Sequence, residues 1–142
     1  MTLTGTHLFT IDALLGPVVD VGATPTGHRR VVPILGGVVT GGLDGTLLPG
    51  GADWNLERPD GSCELWARYE LRLGTGAVVS VTNTAVHEAG APMPILTTPR
   101  FDVGGGGPVE LRTGVFVGLL TLRPGAQRVL VEVHRVGVAG RT

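Results

Sequence analysis

Lysine is absent from this chain, and cysteine, serine and aromatic residues are scarce. All 11 basic residues are arginine, so Schiff-base and lysine-base chemistry are excluded. The single cysteine, Cys63, excludes an internal disulfide and a cysteine-based zinc site. The only serines, Ser62 and Ser80, lack Gly-x-Ser-x-Gly surroundings, which leaves serine hydrolase chemistry without a nucleophile elbow. The net charge of −1 supplies no electrostatic footprint for nucleic acid or an anionic membrane. No apolar run approaches membrane-spanning length. The first residues carry neither a basic segment nor an unbroken apolar one, which predicts no signal peptide and a cytoplasmic protein. Windows free of glycine and proline are also short: 24 glycines and 10 prolines leave no uninterrupted stretch longer than residues 77–89, which disfavours long helices.

What remains is a β pattern. Over 142 residues, 42% of them hydrophobic, the chain is sized for one domain with a real core, residues 1–142. His7, Phe9, Ile11, Ala13 and Leu15 alternate with the residues between them, and so do Val79 and Val81, and Val129, Val131 and Val133. Valine and threonine suit a pleated surface and lose side-chain freedom in helices. Strands are predicted over 5–15, 28–39, 43–48, 62–73, 76–83, 93–101, 109–122 and 127–138. Pro59-Asp60-Gly61, Gly74-Thr75-Gly76 and Arg123-Pro124-Gly125 read as tight turns between antiparallel neighbours. Gly36-Gly37 and Gly41-Gly42 fall inside long strand patterns, where bulges and barrel corners use glycine. About eight antiparallel strands with short connections predict an all-β fold, a closed antiparallel barrel in preference to a sandwich. A barrel of that size encloses a lumen fit for side chains or one small ligand.

Most motif-like features have plain explanations. Gly104-Gly105-Gly106-Gly107 and Gly22-Ala23-Thr24-Pro25-Thr26-Gly27 lack the helix that a phosphate loop needs straight after it. No nucleotide or other cofactor is expected. His7, His28, His87 and His134, with Glu88 and Glu132, have no local metal-ligand spacing, so no metal is expected. Cys63 reads as a small buried hydrophobe rather than a nucleophile.

Two features invite chemistry. The strand from Ser62 to Leu73 splits into an apolar face (Cys63, Leu65, Ala67, Tyr69, Leu71, Leu73) and a charged one (Glu64, Trp66, Arg68, Glu70, Arg72). The pattern favours a solvated charged face; the alternative turns Arg68 and Glu70 toward a ligand beside Trp66. Asp53 and Trp54 follow Gly50-Gly51 in what reads as a sharp bend. There Asp53 either accepts backbone N–H groups within the turn, or acts as a general acid/base at a mouth that Trp54 shields from water. Burial would then raise its pKa.

Several segments together resemble a known family: Gly27-His28-Arg29-Arg30-Val31-Val32-Pro33-Ile34-Leu35-Gly36-Gly37, Leu48-Pro49-Gly50-Gly51-Ala52-Asp53-Trp54, Ala67-Arg68-Tyr69, Thr98-Pro99-Arg100-Phe101, Val115-Phe116-Val117-Gly118 and Val131-Glu132-Val133-His134-Arg135-Val136. The chain resembles the domain of unknown function 3237 family, also called uncharacterised protein family 0311, from about Leu8 to Val136. The resemblance implies a single-domain β-barrel similar to calycin and allene-oxide-cyclase-like barrels. It also adds weight to Arg30, Asp53, Trp54, Arg68 and Tyr69. This chain departs from the family pattern in three places: Gly74-Thr75-Gly76 replaces an Asp-Gly turn, Trp66 replaces an acid, and Leu111-Arg112-Thr113 replaces Trp-Leu-Asn.

The leading expectation is a cofactor-independent cyclase or isomerase acting on a small, largely apolar or amphipathic molecule in the lumen, in secondary metabolism by analogy of fold. Asp53 would move the proton, Arg68 and Arg30 would stabilise negative charge, and Trp54, Trp66, Tyr69 and Glu70 would hold the ligand. The alternatives are a non-catalytic carrier using the same lumen, or a structural, homo-oligomerising barrel with a filled lumen.

Overall fold

The computed structural model describes residues 1–123, 125 and 127–140. Pro124, the centre of one expected turn, lies outside the described residues. Ten strands follow one another: β1 (Leu3–Leu15), β2 (Val19–Thr24), β3 (Gly27–Thr40), β4 (Gly45–Leu47), β5 (Gly51–Glu57), β6 (Cys63–Leu73), β7 (Val78–His87), β8 (Ile95–Val103), β9 (Val115–Arg123) and β10 (Arg128–Val138). All their pairings are antiparallel.

The sheet closes because β1 pairs with β10 on one edge and with β3 on the other. Ten strands occupy only eight positions around the ring. The first half of β3 pairs with β2 and β5, and its second half with β1 and β4. Thus β1 and β2 share one position end to end, and β4 and β5 share another. The breaks are Gly16-Pro17-Val18 and Leu48-Pro49-Gly50, where proline cannot donate to a ladder. The expected barrel of about eight strands is therefore present, with two of its members split.

Three expectations need correction. β2 falls where no strand was expected, between those predicted over 5–15 and 28–39. β5 lies where a bend was expected after Gly50-Gly51, so Asp53 and Trp54 stand in a strand. The strand expected over 109–122 begins only at Val115, and a short 3-10 turn covers Val109–Leu111.

The glycines at the seam do what their positions suggested. Between Leu14↔Gly36 and Leu15↔Ile34 the β1–β3 register slips, leaving Leu35 as an extra, half-exposed residue of a bulge. At Gly37 the two backbones approach so closely that a Cβ would sit 2.1 Å from the Asp12 carbonyl oxygen.

The interior divides into two halves. At the end nearest the middle of β1, all three phenylalanines of the chain, Phe9, Phe101 and Phe116, pack edge to face with centroids 5.9 and 5.1 Å apart. Leu71, Val79, Val81, Leu111 and Val133 complete that plug. At the other end the inward side chains are shorter or polar, and the space is not filled.

Gly37→Ala should cost about 1–3 kcal/mol of stability, read as a lower urea midpoint, because the seam must open to admit a methyl group. Gly104→Ala, where a Cβ meets nothing within 4 Å, should leave it nearly unchanged. Equal midpoints for the two variants would show that the seam yields freely.

Candidate functional site

The unfilled half is a cavity of about 400 Å³. Its wall is aliphatic, with Ile11, Val32, Leu65, Ile95, Leu120 and Val131 prominent, and five polar side chains enter it: Asp53, Asn55, Tyr69, Asn83 and His87. The β pleat explains who is inside. Asp53 stands opposite Ala67 of β6, and Ala67 opposite Asn83 of β7. These three form one row across the inner face, and the methyl of Ala67 leaves open the space between the polar groups on either side. Tyr69, one pleat deeper, is buried, and desolvation pushes its phenol well above the usual range.

Asp53 is held from the backbone. The β5–β6 ladder runs through Ala52↔Arg68 and Asp53↔Ala67 and resumes only at Leu56↔Glu64. In the gap the Trp66 N–H donates to Asp53 Oδ1 at 3.0 Å, and Arg29 donates to the Trp54 carbonyl at 2.8 Å. The unpaired ladder groups are thereby satisfied by side chains. Burial in the aliphatic wall raises the Asp53 pKa; the Trp66 N–H, the Asn55 amide, Arg29 and His87 offset part of that rise. The net direction is up, as the buried-acid reading of the sequence expected, although the carboxylate's N–H partner comes from β6 and not from a turn.

Asn83 is the other singular group. It is 1% exposed, and its Oδ1 has no hydrogen-bond partner. Its cross-strand neighbours, Ala67 and Pro99, have no polar side chain to offer. Thr97 Oγ1, on the inner face of β8, is likewise buried without a partner, in the notch left by Gly118.

The other expected site residues lie elsewhere. Trp54 and Trp66 stand on the outer face of β5 and β6, 39% and 43% exposed, edge to face at 5.6 Å. Arg68 is exposed on that same outer face, and Glu70 accepts a hydrogen bond there from Ser80 at 2.7 Å. The reading that turned the charged face of β6 toward the lumen is therefore corrected: the apolar face points inward, and Arg68, Glu70 and both tryptophans are outside the cavity. Arg30 is at the rim, paired with Glu57 at 3.3 Å, beside a second rim pair in which His28 Nε2 lies 2.6 Å from Asp20. Of the seven named residues, Asp53 and Tyr69 enter the cavity.

Asn55, Asn83 and His87 were not singled out from the sequence. The signal for two of them was present. Val79 and Val81 set the inward parity of β7, and the same parity reaches Asn83 and, in a strand that runs to His87 and not to residue 83, His87 itself. Burial raises the Cys63 thiol, which does not favour a thiolate nucleophile there. Among the described residues, no group of three or more His, Cys, Asp or Glu side chains is placed to hold a metal ion. Nor is any helix among them long and apolar enough to cross a membrane.

A family model described as protein of unknown function (DUF3237) matches residues 3–136. The chain belongs to this family. A DUF3237-type relative, a UPF0311 protein of Rhodopseudomonas palustris strain TIE-1, is 38% identical over 151 residues, covering 95% of this chain and 97% of that one. The crystal structure of the conserved protein RPA1785 from Rhodopseudomonas palustris superposes with a TM-score of 0.86 at 37% identity, over 96% of this chain and 99% of that chain. The structure of an enzyme from Penicillium herquei gives a TM-score of 0.77 at 20% identity over 96% of each chain, a likeness of fold alone.

Because its raised pKa lets the folded protein keep the Asp53 proton to higher pH than the unfolded chain does, this group's contribution to stability falls as pH rises above the ordinary value of 3.8. Asp53→Asn removes that loss. The thermal midpoint of the variant should gain on the wild type progressively as pH rises above that value, and least below it. A difference that does not change with pH would mean that Asp53 ionises as freely in the fold as out of it.

Proposed function

We propose that the cavity binds a small, largely apolar organic molecule and that Asp53 carries out cofactor-independent acid/base chemistry on it, of the cyclase or isomerase type. The observation that supports this most is a carboxyl group set into an aliphatic wall, with its pKa raised by burial. A carboxyl tuned upward toward the working pH can both give and take a proton. Isomerisation and ring closure need no more than that. Asp53 delivers its proton to one atom of the ligand and, as carboxylate, recovers one from another; no atom is lost and nothing is oxidised. The Trp66 N–H steadies the carboxylate between the two steps. Negative charge developing on a ligand oxygen would meet the donors inside the cavity, the Tyr69 hydroxyl and the Asn83 amide, rather than Arg68 or Arg30. The aliphatic wall excludes water from the reactive intermediate.

The second reading is a carrier, and one observation favours it: the arginines expected to stabilise charge lie on the outer face or in a rim ion pair. A carrier would hold the same ligand unchanged.

The two part on a single experiment. The purified protein is incubated with a lipophilic extract of cells that contain it, and the extract is analysed by chromatography and mass spectrometry. The enzyme reading expects one component to fall while a component of identical mass and different retention rises. Asp53→Asn should slow that conversion by at least about a hundredfold, the usual scale of general acid/base catalysis, while Arg68→Ala keeps it. A component that co-purifies with the protein and never changes would establish the carrier. Conversion undiminished in Asp53→Asn would remove Asp53 from the chemistry.

A further inference from the structure

An unpartnered polar atom in a core destabilises the protein that holds it, so its position calls for a cause. We propose that Asn83 selects the ligand of this cavity, taking an uncharged aliphatic molecule whose hydroxyl group bonds to the Asn83 carboxamide beside Asp53. The inference rests on the reading of the cavity as a ligand site and adds the class of molecule it admits.

Four observations converge on it. The first is that Asn83 is 1% exposed with its Oδ1 unpartnered, and it enters the cavity. The second is the row Asp53–Ala67–Asn83. Two strand spacings set the outer Cα atoms about 10 Å apart, and only the Ala67 methyl lies between, so one small group on a ligand can touch both side chains. The third is the wall. Apart from Tyr69 and His87 the cavity has no ring to stack on, since the phenylalanines fill the opposite end. The fourth is charge: Arg30 is engaged by Glu57 at the rim and Arg29 donates to the Trp54 carbonyl, so an anionic ligand group inside would be desolvated without a guanidinium to pair with.

The hydrogen-bond chemistry then narrows the choice. A carboxamide offers an acceptor oxygen and a donor NH2; a hydroxyl can bond either, a ketone only the NH2 and a hydrocarbon neither, and the oxygen is the atom left unpartnered. The same hydroxyl oxygen keeps lone pairs free to accept from a second donor. Sites built to bond a hydroxyl reject analogues lacking it because their own polar group is then left unpaired. The rival cause is a buried water shared by Asn83 and the unpartnered Thr97 Oγ1, which would make Asn83 a structural residue.

Cyclooctanol, cyclooctanone and cyclooctane share one ring and differ only at the polar group, so calorimetric titration of the three into the whole protein reads the selection. The wild type should bind the alcohol at least about tenfold more tightly than the other two. Asn83→Leu should abolish that preference and, ligand-free, raise the thermal midpoint, because an apolar side chain of similar shape replaces an unsatisfied one. Asn83→Ala, which leaves more room, should also lose the preference. Equal binding of the three by the wild type overturns the inference and leaves the cavity as a ligand site. A lowered ligand-free midpoint in Asn83→Leu, with the preference kept in Asn83→Ala, overturns it in favour of the bound water. If the wild type binds none of the three, the ligand-site reading fails and the inference fails with it.

Discussion

Everything about the cavity depends on β3 reaching two neighbours on each edge. Its first half carries β2 and β5, its second half β1 and β4. A strand that spans the barrel in this way lets two ring positions each be filled by two strands in succession, parted near a proline. The break between β4 and β5 lets β5 restart at Gly51 with its own register on β6. There the bare Cα of Gly51 gives room to Tyr69, for a Cβ at that position would lie 2.7 Å from the Tyr69 Cβ. That register in turn puts Asp53 opposite Ala67. Had β4 simply continued, the acid would have had no reason to arrive on the row of Asn83.

The division of the interior follows from where the large side chains are spent. Three phenylalanines lie together at one end, and the other end is left to valine, leucine, isoleucine and a few polar groups. Protein interiors normally pack as densely as organic crystals, and unfilled volume costs stability, about 24 cal/mol for each Å³ in engineered cavities. Each unsatisfied buried polar atom adds about 1–3 kcal/mol. Burying a carboxyl costs more as pH rises. A sequence shaped only by stability would remove all three features with ordinary substitutions, and a binding partner for the cavity relieves each of them.

Much of this fold was legible in the sequence. Period-two alternation marked β1, β6, β7 and β10, and the two faces of β6 separate as the pattern divides them. The Pro59-Asp60-Gly61 turn is present, with Asp60 accepting from both the N–H and the hydroxyl of Ser62. β5 was not legible because its alternation is inverted. Ala52, Trp54 and Leu56 share one face and Asp53, Asn55 and Glu57 the other, yet Asp53 and Asn55 are the ones that enter the cavity. The usual rule, apolar inward, reverses along β5, where polar side chains line the cavity. β2 was hidden by Gly22, whose φ of +93° lies at a bulge between Asp20 and Gly22 in the pairing of β2 with β3.

The tryptophans and Arg68 misled for a related reason. An aromatic next to a charge on a strand suggests a pocket, but antiparallel neighbours produce the same local composition on any well-paired outer face. Trp54 and Trp66 meet edge to face across β5 and β6, and such a cross-strand pair stabilises a sheet without any ligand. What distinguishes the inner groups is not their type but what surrounds them. Arg68 has solvent, whereas Asp53 has a backbone N–H and an aliphatic wall. Asn83 has Ala67 and Pro99 beside it and lines the cavity while only 1% exposed. A carboxyl and a carboxamide on one cross-strand row with a single methyl group between them, in a wall whose other polar side chains are Asn55, Tyr69 and His87, would on the proposed reading direct a ligand's polar group to that row and its hydrocarbon along the rest of the wall. On that reading the orientation would be fixed before any reaction begins, and the atom brought to Asp53 would be the polar group's own or its immediate neighbour.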